Sequence, residues 1–280
     1  MAGNVKTHYT ESGDDGPVIV GLHGGGSGSS GQSGMGPLMP GLGEQFRYIA
    51  PDSVGGYGLT DVDAPVPYGV QSRVDHLEDF VDALCLDRFS IMGNSQGAWV
   101  AAKYAILHPD RIEKMILVAS GTIVNAMGIT RPPSPGMAAF AAYDGTPERM
   151  RDLLKAIVYN HDMITDELVA RRNNAATRPG ALEKFKEFGA NTGKFQREAP
   201  LNSNFGMKES LPALTKVIPT IFIWGENDEF APPDGGRELE PMLPDVKFHW
   251  VPEAGHQAQT DQPEICTNII REFMLAPVPA

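Results

Sequence analysis

Ser95 stands inside Gly93-Asn94-Ser95-Gln96-Gly97, where the apolar run ending at Asn94 meets a long helical pattern. A serine hydroxyl is a weak nucleophile at neutral pH and needs a base. The G-x-S-x-G spacing at a strand-to-helix junction is the setting in which a serine can act. Small flanking residues let strand and helix approach, the serine takes strained backbone angles, and its hydroxyl stands clear of the sheet. The helix N-terminus beneath it offers N–H groups to a developing oxyanion. A tight turn without chemistry is the bland alternative, and the pentapeptide alone does not exclude it.

Of the seven histidines, His256 is placed to be the base, on a glycine-containing loop after the last apolar run. His8, His76, His108 and His161 lack such a position, and His249 falls inside a strand pattern. The base needs an orienting acid. Asp228, at the end of "TIFIWGEND" (219–228), is the candidate, with Glu226, Glu229 and Asp234 competing. A second oxyanion donor is expected from the loop "LHGGGSGSSGQSG" (22–34). Phosphate binding is the competing reading of that loop, but it has no GK[ST] and no dinucleotide-binding acid.

Strand and helix patterns must carry these residues. "PVIVGLHG" (17–24), "FRYIAPD" (46–52), "DRFSIMGN" (87–94) and "KMILVAS" (114–120) read as buried strands, and residues 70–86 as a helix. Strands return at 219–228 and 246–256, and a helix over 262–275 closes the chain. Alternation of strand and helix implies a mostly parallel sheet. From 122 to 207 only helical patterns occur. Thr146-Pro147 and Thr165-Asp166 read as helix starts. The expected organisation is an α/β core over 1–121 and 208–280, interrupted by a helical cap over 122–207.

The net charge of −12 argues against a nucleic-acid partner. Segment 122–207 differs, with 11 Lys/Arg against 9 Asp/Glu, which suits an anionic ligand; ordinary solvated helices would explain it equally well. The first ten residues have no apolar stretch of the kind a secretory signal needs, and no apolar run is long enough for a membrane span. Cys85 and Cys266 lie far apart, which favours free thiols and a cytoplasmic location. Neither has the spacing of a zinc site.

The order Ser95…Asp228…His256, with the motifs around it, resembles the α/β-hydrolase superfamily over nearly the whole chain. More narrowly, the chain resembles the meta-cleavage-product hydrolases, which cut carbon–carbon bonds in ring-fission products of aromatic catabolism. The resemblance rests on His23-Gly24-Gly25-Gly26, the Ser95 pentapeptide, "HPDRI" (108–112), "ITDELVARR" (164–172) and "GHQAQTDQPE" (255–264). It implies an α/β-hydrolase fold with an eight-stranded, mostly parallel sheet flanked by helices and a helical cap. It implies a Ser95–His256–Asp228 triad and an oxyanion hole of the Gly25 and Gln96 N–H groups. Gly24, Asn94, Arg172 and Gln257 would contact the substrate, with Asn94 and Arg172 on its dienoate end. It implies no metal and no organic cofactor, and assembly into homo-oligomers.

Local physics favours Arg172 over Arg171. Glu167 and Arg171 form an i,i+4 pair suited to solvent, whereas Arg172 shares a face with Leu168, Val169 and Ala176. Snorkelling along that face is the alternative to pointing into a pocket. The family usually has tryptophan after the catalytic histidine, where Gln257 stands here. Its glycine loop usually continues with bulkier residues than Ser-Gly-Ser-Ser-Gly.

The implied reaction is hydrolysis of a 2-hydroxy-6-oxo-hexa-2,4-dienoate. Ketonisation with protonation at C5 comes first, then Ser95 attacks C6. Met127, Met137, Phe140, Met150 and Leu153 could line the pocket for the C6 group, or simply pack helices. The alternatives are a carboxylesterase, thioesterase or perhydrolase of the same fold, and a ligand receptor on that scaffold.

Overall fold

The computed structural model describes residues 1–277. Seven strands form one sheet: β1 (Tyr9–Ser12), β2 (Val18–Leu22), β3 (Arg47–Pro51), β4 (Phe89–Asn94), β5 (Ile112–Val118), β6 (Thr220–Gly225) and β7 (Lys247–Val251). Their order is β1-β3-β2-β4-β5-β6-β7. Only the β1–β3 pair is antiparallel. The central strands are the continuous apolar runs of the sequence, because helices cover both faces of a parallel sheet.

Two expectations change. The sheet has seven strands among the described residues, not eight: before β1 the chain makes only an isolated bridge between Ala2 and Val5. And β1 itself is unannounced in the sequence. Tyr-Thr-Glu-Ser alternates exposed and half-buried positions on a sheet edge and has no apolar run to mark it.

Register sets the site. Leu22 pairs with Gly93 and Asn94 with Val118, so β2, β4 and β5 end at one level. Ligands in such sheets bind beyond the carboxyl ends of the strands. Helix α1 (Val70–Ala83) buries Val70, Val74, Leu77, Phe80 and Val81 as its periodicity predicts. Helix α2 (Gln96–Leu107) starts directly after Ser95.

Between β5 and β6 the described chain has helices and no strand. They include α3 (Pro147–Lys155), α4 (Asp166–Thr177) and α5 (Ala181–Arg197). Thr146 and Thr165 cap α3 and α4, each hydroxyl accepting from the N–H three residues on. Met150, Leu153, Leu154, Ile157, Val158, Ile164, Val169 and Ala176 form a small apolar core of their own. Phe188 and Phe195 of α5 pack into the main core. The closing helix is α6 (Pro263–Leu275). Cys85 and Cys266 are free thiols, and no described helix is long and apolar enough to cross a membrane.

His76 of α1 is 6% exposed and bonds Thr7 Oγ1 at 2.8 Å. Burial, helped by the nearby Arg73 charge, pulls its pKa down to about 4. The unfolded chain binds that proton near pH 6.5, so the folded state is disfavoured as pH falls from there towards 4. The slope is about 1.4 kcal/mol per pH unit at most for one group. Melting curves at pH 7.5 and 5 should therefore separate less for His76→Gln than for the wild type. Equal separations would contradict this account of His76.

Candidate active site

At the end of β4 the chain reverses into α2 through Ser95, whose backbone sits at φ 58°, ψ −120°. That is strained for a residue with a Cβ. The turn is held by the Ser95 N–H donating to Val118 C=O (2.8 Å) and by the Ser120 hydroxyl donating to Ser95 C=O (2.6 Å). The flanking glycines are steric necessities. A Cβ on Gly93 would strike the Gly97 carbonyl, and one on Gly97 the carbonyls of Leu22 and His23.

His256 and Asp228 come to the same place from the two distal strands. Asp228 lies three residues past β6, and its Oδ2 is 2.8 Å from His256 Nδ1. Its Oδ1 accepts from the N–H groups of Phe230 (2.8 Å) and Ala231 (2.7 Å). With Oδ1 so occupied, Asp228 holds the imidazole with its proton on Nδ1, and Nε2 is left buried without a partner. Phe230 stacks on the ring at 4.6 Å. The competing acids Glu226, Glu229 and Asp234 are exposed. Ser95, His256 and the loop glycines line one cavity of about 580 Å³.

The glycine loop is aimed by His23. Its Nε2 accepts from the Ser53 N–H (3.0 Å), so Nδ1 carries the proton and donates to the Gly24 carbonyl (2.7 Å). In a trans peptide the Gly25 N–H then points the opposite way. Burial and the Arg73 charge hold the His23 pKa well below its usual range, which keeps this tautomer neutral. Neither the Gly25 nor the Gln96 N–H takes part in the main chain's turn and loop hydrogen bonds. Both residues face the cavity, as an oxyanion hole requires.

Arg172 is 5% exposed, on α4, and also faces the cavity. Its Nε donates to Ser27 C=O (3.2 Å), Nη1 to Ser33 Oγ (3.0 Å) and Nη2 to Ser29 Oγ (2.7 Å). All three partners are neutral, and no described carboxylate lies within ion-pair distance. Burial lowers its pKa to about 10, so it stays charged at neutral pH. Arg171 is exposed.

Asn94 also lines the cavity. Its Nδ2 donates to the carbonyls of Val118 (3.3 Å) and His256 (3.0 Å), so its donors serve the His256 loop. What it keeps free is a buried acceptor, Oδ1. That atom cannot hold a carboxylate. Gly24 and Gln257 line the cavity as expected. Met137 and Phe140 also line it, but Met127, Met150 and Leu153 do not: they are buried in the apolar cores, where helix packing claims them. Sequence reasoning missed Ser29, Ser33, Phe230 and Arg73. Serines in a Gly/Ser loop carry no periodic signal, and a charge on a mostly apolar helix face reads as solvated.

A family model described as alpha/beta hydrolase fold matches residues 17–263. The chain is 28% identical to the 2-hydroxy-6-oxo-2,4-heptadienoate hydrolase of Pseudomonas putida strain F1, over 99% of this chain and 95% of that one. It is 29% identical to the 2-hydroxy-6-oxononadienedioate/2-hydroxy-6-oxononatrienedioate hydrolase of Paraburkholderia xenovorans, covering 97% and 91%. Among solved structures, a meta-cleavage product hydrolase from Pseudomonas fluorescens IP01 matches with a TM-score of 0.80 at 29% identity, covering 98% and 95%.

If this geometry works as a nucleophile with its base, a fluorophosphonate should add once per chain, at Ser95, as read by peptide mass. Ser95→Ala should take up none. Asp228→Asn, which upsets the histidine tautomer, should react slower by roughly 10²-fold or more. Labelling of another residue, or wild-type rates in Asp228→Asn, would contradict the assignment.

Proposed function

Because the chain belongs to the α/β-hydrolase fold family, we propose that it hydrolyses the C5–C6 bond of an anionic 2-hydroxy-6-oxo-hexa-2,4-dienoate, a ring-cleavage product of aromatic catabolism. The observation that carries the reading is Arg172, a buried cation facing the nucleophile's cavity and held only by neutral groups. An ester needs no such group; a substrate carboxylate does. Residues 122–207 serve as the cap over the core of 1–121 and 208–280, since Arg172 and Phe140 come from that segment to line the cavity. Free Cys85 and Cys266 suit a cytoplasmic enzyme.

The dienoate carboxylate pairs with Arg172. Ser29 accepts from Arg172 and keeps its own proton to donate to the same carboxylate. Asn94 Oδ1 accepts from the 2-hydroxyl on the dienoate end. Ketonisation moves the 2-hydroxyl proton's equivalent to C5 and leaves a 2-keto group conjugated through C3=C4. His256 Nε2 takes the Ser95 proton as Oγ attacks C6, and the C6 oxyanion is met by the Gly25 and Gln96 N–H groups. The C5–C6 bond then breaks. Its electron pair passes through C4 and C3 to the 2-keto oxygen, where the charge develops near Arg172. The dienolate takes up the proton that His256 accepted from Ser95 and leaves; the neutral His256 then deprotonates water, which attacks the acyl group on Ser95 and releases the C6 acid.

A phenyl-substituted dienoate should bleach with benzoate appearing, and p-nitrophenyl butyrate should turn over more slowly. Arg172→Ala should lower kcat/KM on the dienoate by roughly 10²-fold, as for a buried charge pair, and change the neutral ester little. Brisk ester hydrolysis beside an untouched dienoate would overturn the proposal, as would equal losses on both substrates.

A further inference from the structure

Arg73 is the second buried guanidinium of the molecule, and the reaction described above does not use it. It lies on α1, 1% exposed, beside the buried Val70, Val74, His76 and Leu77. No described carboxylate stands within ion-pair distance. Its Nη1 donates to Gln96 Oε1 (2.9 Å) and its Nη2 to the His23 carbonyl (2.6 Å). Its guanidinium carbon lies 5.3 Å from the centre of the Tyr57 ring, whose hydroxyl donates to the Gly25 carbonyl (3.1 Å).

These contacts converge on the two walls of the oxyanion hole. One donor, Gln96 N–H, begins α2. The other, Gly25 N–H, belongs to the loop that starts at His23. The Gln96 side chain is packed between them: a Cβ on Gly25 would stand 3.1 Å from Gln96 Oε1 and 3.2 Å from its Cδ. Arg73 grips that side chain with one nitrogen and the base of the loop with another. A single planar group thus spans both walls, which lie 23 and 50 residues away in sequence. For stability alone this is a poor choice. A buried charge without a counter-ion is costly, and an apolar side chain of similar volume often serves a core better. Burial lowers the Arg73 pKa only to about 10, so the charge persists at neutral pH.

We propose that Arg73 is the positioning residue of the oxyanion hole. It sets the separation and aim of the Gly25 and Gln96 N–H groups through His23 C=O and Gln96 Oε1, and it adds positive charge behind the oxyanion that forms on Ser95 attack. This rests on the acyl-transfer half of the proposed reaction and not on the dienoate. It is therefore tested without substrate.

A fluorophosphonate reports the step directly. Ser95 Oγ bonds to phosphorus, fluoride leaves, the serine proton passes to His256, and the phosphoryl oxygen takes the oxyanion's place. Arg73→Met should lower the limiting inactivation rate about 10-fold, less than the 10²–10³ typical of deleting a donor outright. The half-saturating reagent concentration and the melting temperature should hold. Arg73→Lys, keeping the charge with one of the two grips, should recover part of the rate. Gln96→Met should slow the reaction to a similar extent, and adding Arg73→Met to it should cost little more, because both act on one contact. Should Arg73→Met not fold, Arg73→Lys and Gln96→Met carry the same comparison. Wild-type rates in these variants, or losses that multiply in the double variant, would overturn the proposal for Arg73 alone. An unlabelled wild type would overturn the nucleophile itself, and the role of Arg73 with it.

Discussion

The tight reversal at Ser95 is the constraint on which the rest depends. A serine at φ 58°, ψ −120° is tolerated only because Gly93 and Gly97 let β4 and α2 touch, and because Val118 and Ser120 tie the turn from β5. Once the turn is made, register does the remaining work. β2 and β4 end side by side, so the loop carrying Gly25 faces the helix carrying Gln96. The strands β6 and β7 deliver Asp228 and His256 to the same edge of the sheet.

Two cations are then held near the nucleophile without counter-ions. Arg172 comes from the helical segment and is held by Ser27, Ser29 and Ser33. Arg73 comes from α1 and holds Gln96 and His23. Both are burials that a fold seeking stability alone would avoid. Their different partners separate their roles. Arg172 faces the cavity and can take a substrate charge, while Arg73 is packed against Gln96 and His23 and can act only through what it touches. The serine-rich loop, a departure from the family pattern, becomes intelligible here, because its hydroxyls and carbonyl are what hold Arg172.

Much of this was legible in the sequence. Buried strands announce themselves as apolar runs, and Ser95, His256 and Asp228 sit just past such runs, where chemistry is exposed. Choosing Asp228 over Glu226, Glu229 and Asp234 needed position; the structure separates them by burial and by the bond to His256. What stayed hidden had no local signature. The strand β1 is polar and marginal, and Arg73 sits where periodicity predicts an apolar residue. Asn94 could be placed at the site from its motif, but the direction of its amide is set by two carbonyls distant in sequence, Val118 and His256.

The central claim is that carbon–carbon cleavage passes through a bond between Ser95 and C6 of the dienoate. Mixing excess protein with dienoate, quenching in acid over a time course and weighing the intact chain tests it most directly. The account predicts a transient species heavier by the C6 acyl group, located on Ser95 and decaying as the acid appears. Full consumption of the dienoate with the chain mass unchanged at every time point would contradict it.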